Sequence, residues 1–239
     1  MGGIMMRMYL FLILTTFITA GFTAEPGASD PVPPEGMVYV PAGSFIMGSN
    51  YGDADEAPEH LAETKAFFID KYEVSHAEYA KFDPGHTYPK GLENHAVQVT
   101  WEQAKAYAEW AGKRLPTEKE WEKAARGTDG RIFPWGDTYD ATYVIWDQRY
   151  PRGSAIAKPE SPYGCIGMAG GVWEWTADWY NAYPGNPIAS DLYGEKYKVI
   201  RGGSNFNSYA HIRTTHRYYI LPNTTGNYQI GFRCVKDIE

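Results

Sequence analysis

Only two cysteines, Cys165 and Cys234, occur among the 239 residues. That scarcity excludes a framework of several disulfides and allows a single pairing. Basic runs are missing as well: Lys and Arg total 22 against 29 Asp and Glu, the net charge is −7, and no Lys/Arg-rich stretch stands out. Nucleic acid and acidic membrane surfaces both select such a stretch, so neither partner is expected. Long apolar runs are scarce: MYLFLILTTFITAGF, at 8–22, falls short of the roughly 20 residues that a span needs and fits a secretory h-region better, with an uncleaved anchor as the other reading. The six histidines show neither H-x-H nor H-x-x-x-E spacing, the close grouping that a facial iron site suggests.

What the N-terminus does contain is Arg7 followed by that apolar run and then small residues, the layout of a secretory signal. Residues 1–24 are expected to be the signal peptide, cut before Glu25, with cuts after Ala20 or Gly21 as alternatives. Residues 25–35, rich in proline and polar, read as a linker, and 36–239 as one domain. The expected location is secreted or periplasmic, with no membrane contact beyond the signal segment. In an oxidising compartment Cys165 and Cys234 are expected to form a disulfide closing a loop of about 70 residues, worth roughly 4 kcal/mol on chain-entropy grounds. Two free buried thiols, or a redox or metal pair, are the other readings.

Nineteen Tyr, 8 Trp, 25 Gly and 16 Pro point to ordered loops rather than a helical bundle. Three capping boxes nevertheless mark helix starts: Ser75 with Glu78, Thr100 with Gln103, and Thr117 with Glu120. The second helix is expected to close at Gly112 and the third at Gly127, and in the second Trp101, Ala104, Ala108 and Ala111 form one apolar stripe. MVYVPAGSFIMGS reads as strands around a PAG turn, and FFIDKYEVS as a strand running into the first helix. Beyond Gly127 the sequence predicts short strands and loops.

MVYVPAGSFIMGS, DEAPEH, FFIDKYEVSHAEYAKF, VTWEQAKAYAEWAGKRLPTEKEWEKAARG, FPWGD, SPYGCIGMAGGVWEWTADWY, VIRGGS and GFRCV follow one another over residues 36–236. In kind and order they resemble the sulfatase-modifying factor family, founded on the formylglycine-generating enzyme. The resemblance implies an α+β fold, a C-type-lectin-like variant forming a single compact domain low in regular secondary structure. It also implies a copper-binding cysteine pair just after the GGS turn, where this chain has GGSNFNSYAHIRTTHR. Asn207 and Ile212 fall near the two positions, so copper is not expected. The family's calcium pattern GNVWEW is GGVWEW here, which leaves Glu174 and the Gly171 carbonyl to hold calcium; a buried hydrogen-bond acceptor is the other role open to Glu174. Asp140 and Asp147 sit where a second calcium site lies in relatives, with solvated turn carboxylates as the alternative. Arg114, Glu118 and Arg126 resemble an ion-pair framework, Trp173, Trp175 and Trp179 read as core, and Arg201 and Arg233 as anchors of the C-terminal segment.

The remaining polar stretch, RGGSNFNSYAHIRTTHRYY at 201–219, carries tyrosine for contact area and asparagine and serine for hydrogen bonds, the vocabulary of recognition loops. Asn205, Asn207, Tyr209, His211, Tyr218, Tyr219, Asn227 and Tyr228 are expected to line one solvent-facing groove, with Arg217 at its edge as a bidentate donor. The ligand would be a protein, a peptide or a glycan, bound by a non-catalytic accessory factor of the cell envelope. Loop polar groups that merely satisfy their own backbone are the plainer account. Two other functions compete: an oxidoreductase of the formylglycine-generating type, and a metal-dependent enzyme built on His211, His216 and nearby carboxylates.

Overall fold

The three helices start where a side chain closes the first turn. Ser75, Thr100 and Thr117 each accept from the backbone N–H three residues on, while Glu78, Gln103 and Glu120 accept from the cap's own N–H. The computed structural model describes residues 30–144, 160–204, 207–225 and 228–238. Helices α1 (His76–Phe82), α2 (Trp101–Trp110) and α3 (Glu118–Arg126) follow four strands: β1 (Met37–Val40), β2 (Gly43–Met47), β3 (His60–Thr64) and β4 (Phe67–Asp70). After them come β5 (Trp173–Trp179), β6 (Lys198–Arg201), a 3-10 turn at Tyr209–Ile212, β7 (Arg217–Ile220), β8 (Ile230–Gly231) and β9 (Val235–Asp237). This is the α+β, C-type-lectin-like architecture in one compact unit from Pro31 onward. The signal segment and the linker up to residue 29 lie outside the described residues, as does Asp147.

Three sheets organise the chain. In the first, β4 lies between β1 and β9, both antiparallel to it, with Met37 opposite Asp70 and Ile69 opposite Val235. The second pairs β2 with β3, whose 48–59 connection loops out toward the C-terminal segment. The third has the order β7-β6-β5-β8, with Arg201 opposite both Glu174 and Arg217, and with β8 parallel to β5. β3 is the strand that the sequence reading leaves out; its alternation is weak because Leu61 and Glu63 face solvent from a two-stranded sheet.

Helices α1 and α2 cover one face of the third sheet through Tyr79, Ala104, Tyr107, Ala108, Trp175 and Phe232. Helix α3 lies against β2, β3, β5 and β6, burying Trp121, Ala124 and Ala125 with Val40, Phe67 and Ile69. Complete burial of Trp121 contributes on the order of 3 kcal/mol, and its Nε1–H donates to Glu174 Oε2 at 2.8 Å. Lys198 Nζ sits 3.9 Å and 3.7 Å from the ring centroids of Trp101 and Trp179 and donates to Ala177 O, which fastens α2 to the sheet.

The expected disulfide is corrected here: Cys165 and Cys234 are separate buried thiols. Side chains alternate along the segment entering β9. Phe232 and Cys234 enter the core under α1 and α2, whereas Val235 enters the core under α3, where Cys165 lies. Arg233 points between them and donates to Ile166 O at 2.9 Å. Burial pushes the Cys165 thiol up to about 11 and the Cys234 thiol well above its ordinary value.

Candidate ligand-binding surface

Strand β7 presents its side chains from a buried scaffold of charge. Arg217 Nε and Nη2 donate to Glu118 at 2.7 and 2.9 Å, and its guanidinium lies 3.9 Å from the Tyr183 ring centroid. Arg201 donates to Glu118 at 2.9 Å, to Glu122 at 2.7 Å and to Thr214 O at 2.6 Å. Arg126 completes the set on Glu122, Ile46 O, Gly48 O and Gly130 O. Burial alone would raise the Glu118 carboxyl, but the charges of Arg217 and Arg201 hold it below the carboxylate range. Arg217 is therefore no donor at a groove's edge: it is buried and its fork is spent on Glu118. Arg201 and Arg233 are anchors, as the sequence suggests, and Glu122, which the sequence reading did not single out, is the second carboxylate of Arg201 and the partner of Arg126.

Glu174 has its two oxygens occupied by protein donors. Arg233 reaches Oε2 at 2.6 Å and Oε1 at 2.7 Å, and Trp121 shares Oε2. Of the two roles open to Glu174, this geometry describes the buried acceptor, and Gly171 next to it bends the chain at φ 76°. Asp140 caps its own turn, accepting from Thr142 N and Oγ1 at 2.8 and 2.7 Å.

The Gly202–Gly203 turn explains how the polar stretch is packed. A Cβ on Gly203, at φ 72°, would lie 2.8 Å from Ile212 Cγ2 and 2.9 Å from His211 O, so only glycine lets the 3-10 turn close over it. Asn207 is used locally, accepting from Ser204 N at 2.8 Å and Ser204 Oγ at 2.7 Å. Asn205 and Asn227 lie outside the described residues. Tyr209, 60% exposed, rests against Tyr139 with centroids 5.7 Å apart. His211 meets His216 edge-on at 4.9 Å, His216 meets Trp173 at 5.8 Å, and Trp173 meets Tyr218 at 5.6 Å. From Tyr218, 42% exposed, the run continues to Tyr219 at 5.4 Å and to Tyr180 at 4.4 Å beyond it. His211, Tyr218 and Tyr219 thus share one aromatic run, bridged by the buried Trp173; Tyr209 belongs to a neighbouring ring pair, and Tyr228 is 55% exposed.

One end of the run abuts the 48–59 loop. Arg213 donates to Glu56 at 2.6 and 3.2 Å, Thr215 Oγ1 donates to it at 2.6 Å, and the Asp53 N–H at 3.0 Å. Against the cost of burial, hydrogen bonds from His216, Thr215 and Asp53, together with the charge of Arg213, lower the Glu56 carboxyl to about 2. His216 Nδ1 lies 3.1 Å from Asp53 Oδ2 and 3.5 Å from Glu56 Oε1. Asp53 and Glu56 are the residues that sequence reading missed. Their signal was the acidic DADEAPEH string, which composition alone cannot tell from a solvated loop.

Fold and surface together define a C-type-lectin-like domain whose exposed loops and strand edge carry aromatic and polar side chains. The model of the sulfatase-modifying factor enzyme 1-like domain matches residues 23–238, and the chain belongs to that family. It is 32% identical over 296 residues to the formylglycine-generating enzyme of Streptomyces coelicolor, covering 90% of this chain and 94% of that one. To the Mus musculus protein named inactive C-alpha-formylglycine-generating enzyme 2 it is 27% identical, covering 87% of this chain and 86% of the other. The structure of PvdO from Pseudomonas aeruginosa matches with a TM-score of 0.69 at 26% identity, over 84% of this chain and 94% of that one.

Proposed function

We propose that this chain is an exported, non-catalytic member of its family that binds a protein, peptide or glycan through the surface of β7 and the 3-10 turn. The observation that carries the reading is the aromatic run from His211 through Trp173 to Tyr218 and Tyr219, with Tyr218 open to solvent on an edge strand. Flat rings fixed by a rigid scaffold supply contact area at little entropic cost. Thiol oxidation of the family's kind has no support in the residues, because 166–233 contains no cysteine and both thiols of the chain are buried. That relatives matched over most of their length include both an enzyme and a protein named inactive fits either outcome, so the site decides.

The test uses the chain from Glu25 onward on peptide and glycan arrays, with hits re-measured by calorimetry against Tyr218→Ala and Tyr209→Ala. The expected result is binding weakened by about 1 to 3 kcal/mol at an unchanged melting temperature. Equal affinity in both variants, or turnover of a Cys-x-Pro-x-Arg peptide with copper and oxygen above a no-enzyme control, overturns the reading.

A further inference from the structure

We propose that Asp53, Glu56 and His216 form a mononuclear site for a divalent first-row transition cation, at the end of the aromatic run. Their ligand atoms all lie within 4.8 Å of one another. The two spacings measured from His216 Nδ1, 3.1 Å to Asp53 and 3.5 Å to Glu56, suit a shared ion. An ion bound at about 2.0–2.2 Å from nitrogen and oxygen ligands holds neighbouring ligands about 3 Å apart, so the set can close on one with little movement. One imidazole and two carboxylates match zinc, manganese, iron(II) or cobalt(II); calcium prefers oxygen alone, and copper(I) prefers sulfur.

The surroundings fix two of the three ligands before any ion arrives. Glu56 Oε2 accepts from Thr215 and Arg213, and Oε1 accepts from Arg213 Nη2 at 2.6 Å and the Asp53 N–H at 3.0 Å, which holds the carboxylate with Oε1 on the His216 side. Gly52 makes room for this, since a Cβ there would overlap the Glu56 carboxylate and press on Arg213 Nη1. Arg213 offsets one of the two carboxylate charges, so the carboxylates tolerate their closeness while the site keeps a net negative charge for a cation. His216 is buried, and its Nε2 has no hydrogen-bond partner among the described residues. In the metal-free chain Nδ1 faces the Asp53 and Glu56 carboxylates as a donor; an ion bound between them would take the Nδ1 lone pair, with the ring proton then on Nε2. Asp53, 63% exposed, leaves the remaining coordination positions on the solvent side. His211 stands outside the set, its Nδ1 engaged with Ser208 Oγ at 2.9 Å.

The test titrates the metal-free chain with Zn2+ by calorimetry and with Co2+ by its visible absorption, with Ca2+ as the control ion. One equivalent of Zn2+ or Co2+ should bind, weakened at least tenfold in Asp53→Asn, whose exposed side chain can change without loss of fold, and in His216→Gln. His211→Ala should bind as the parent does. Absence of saturable binding, or an unchanged affinity in Asp53→Asn at equal melting temperature, overturns the site. Tyr218→Ala should keep the metal, so this result and the aromatic surface's ligand binding stand or fall separately.

Discussion

Removing the guanidinium of Arg217 strips Glu118 of the donor to its Oε2 and of one of three donors to its Oε1, in a part of the protein closed to water. Breaking a buried pair from one side leaves an uncompensated charge, so Arg217→Ala should lower stability by about 3 to 5 kcal/mol in chemical denaturation. A loss below about 1 kcal/mol would mean that Glu118 finds water or another donor. The contrast with Tyr218 is the instructive one. Both residues stand on β7 and both read as contact residues by type, but alternation turns one into the scaffold and the other outward, and the register that decides it is set by β6, not by the local sequence. For the cysteines a second expectation follows: the native chain should not react with a thiol reagent, and unfolding without reductant should release two reactive thiols. Finding none after unfolding would show that the protein bridges them.

At the scale of elements, the helices were legible because their starts are chemically marked. In α3, Thr117 Oγ1 accepts from Glu120 N and donates to Glu120 Oε2 at 2.7 Å, and Arg114 pairs with the same glutamate at 2.7 Å. Thr117→Ala should therefore cost about 1 kcal/mol, read as a lowered melting temperature with the far-UV spectrum kept. No change would show that Arg114 holds the helix start without the hydroxyl. β1, β2 and β4 were legible too, from apolar residues bounded by turn signals. β3 was not, because two of its five residues face solvent. The loop holding Asp53 and Glu56 escaped for a related reason: its partners lie more than 150 residues away in sequence, and a carboxylate's type does not reveal what it will meet.

For the whole molecule, the buried carboxylates set the response to acid. Burial would raise the carboxyls of Glu118 and Glu120, but their arginine partners keep both below the ordinary 4.5. The unfolded chain therefore takes up these protons first as pH falls, so the stability they supply is complete above about pH 5 and drains away below pH 4.5. His76 adds an earlier, smaller loss, since burial and the nearby His86 and His95 depress its pKa from 6.5. Melting temperature should slope gently downward below pH 6.5 and steeply below 4.5; a flat profile to pH 3 would contradict the buried ion pairs. The first sheet has a different consequence, in time rather than in energy. Its central strand β4 takes one neighbour from the start of the folded unit and the other from its last residues, so the sheet is finished only when distant ends meet. Such non-local pairing places refolding in the range of milliseconds to seconds, long after the helices have formed, and a chain cut after Ile230 leaves the β9 side of β4 without its strand.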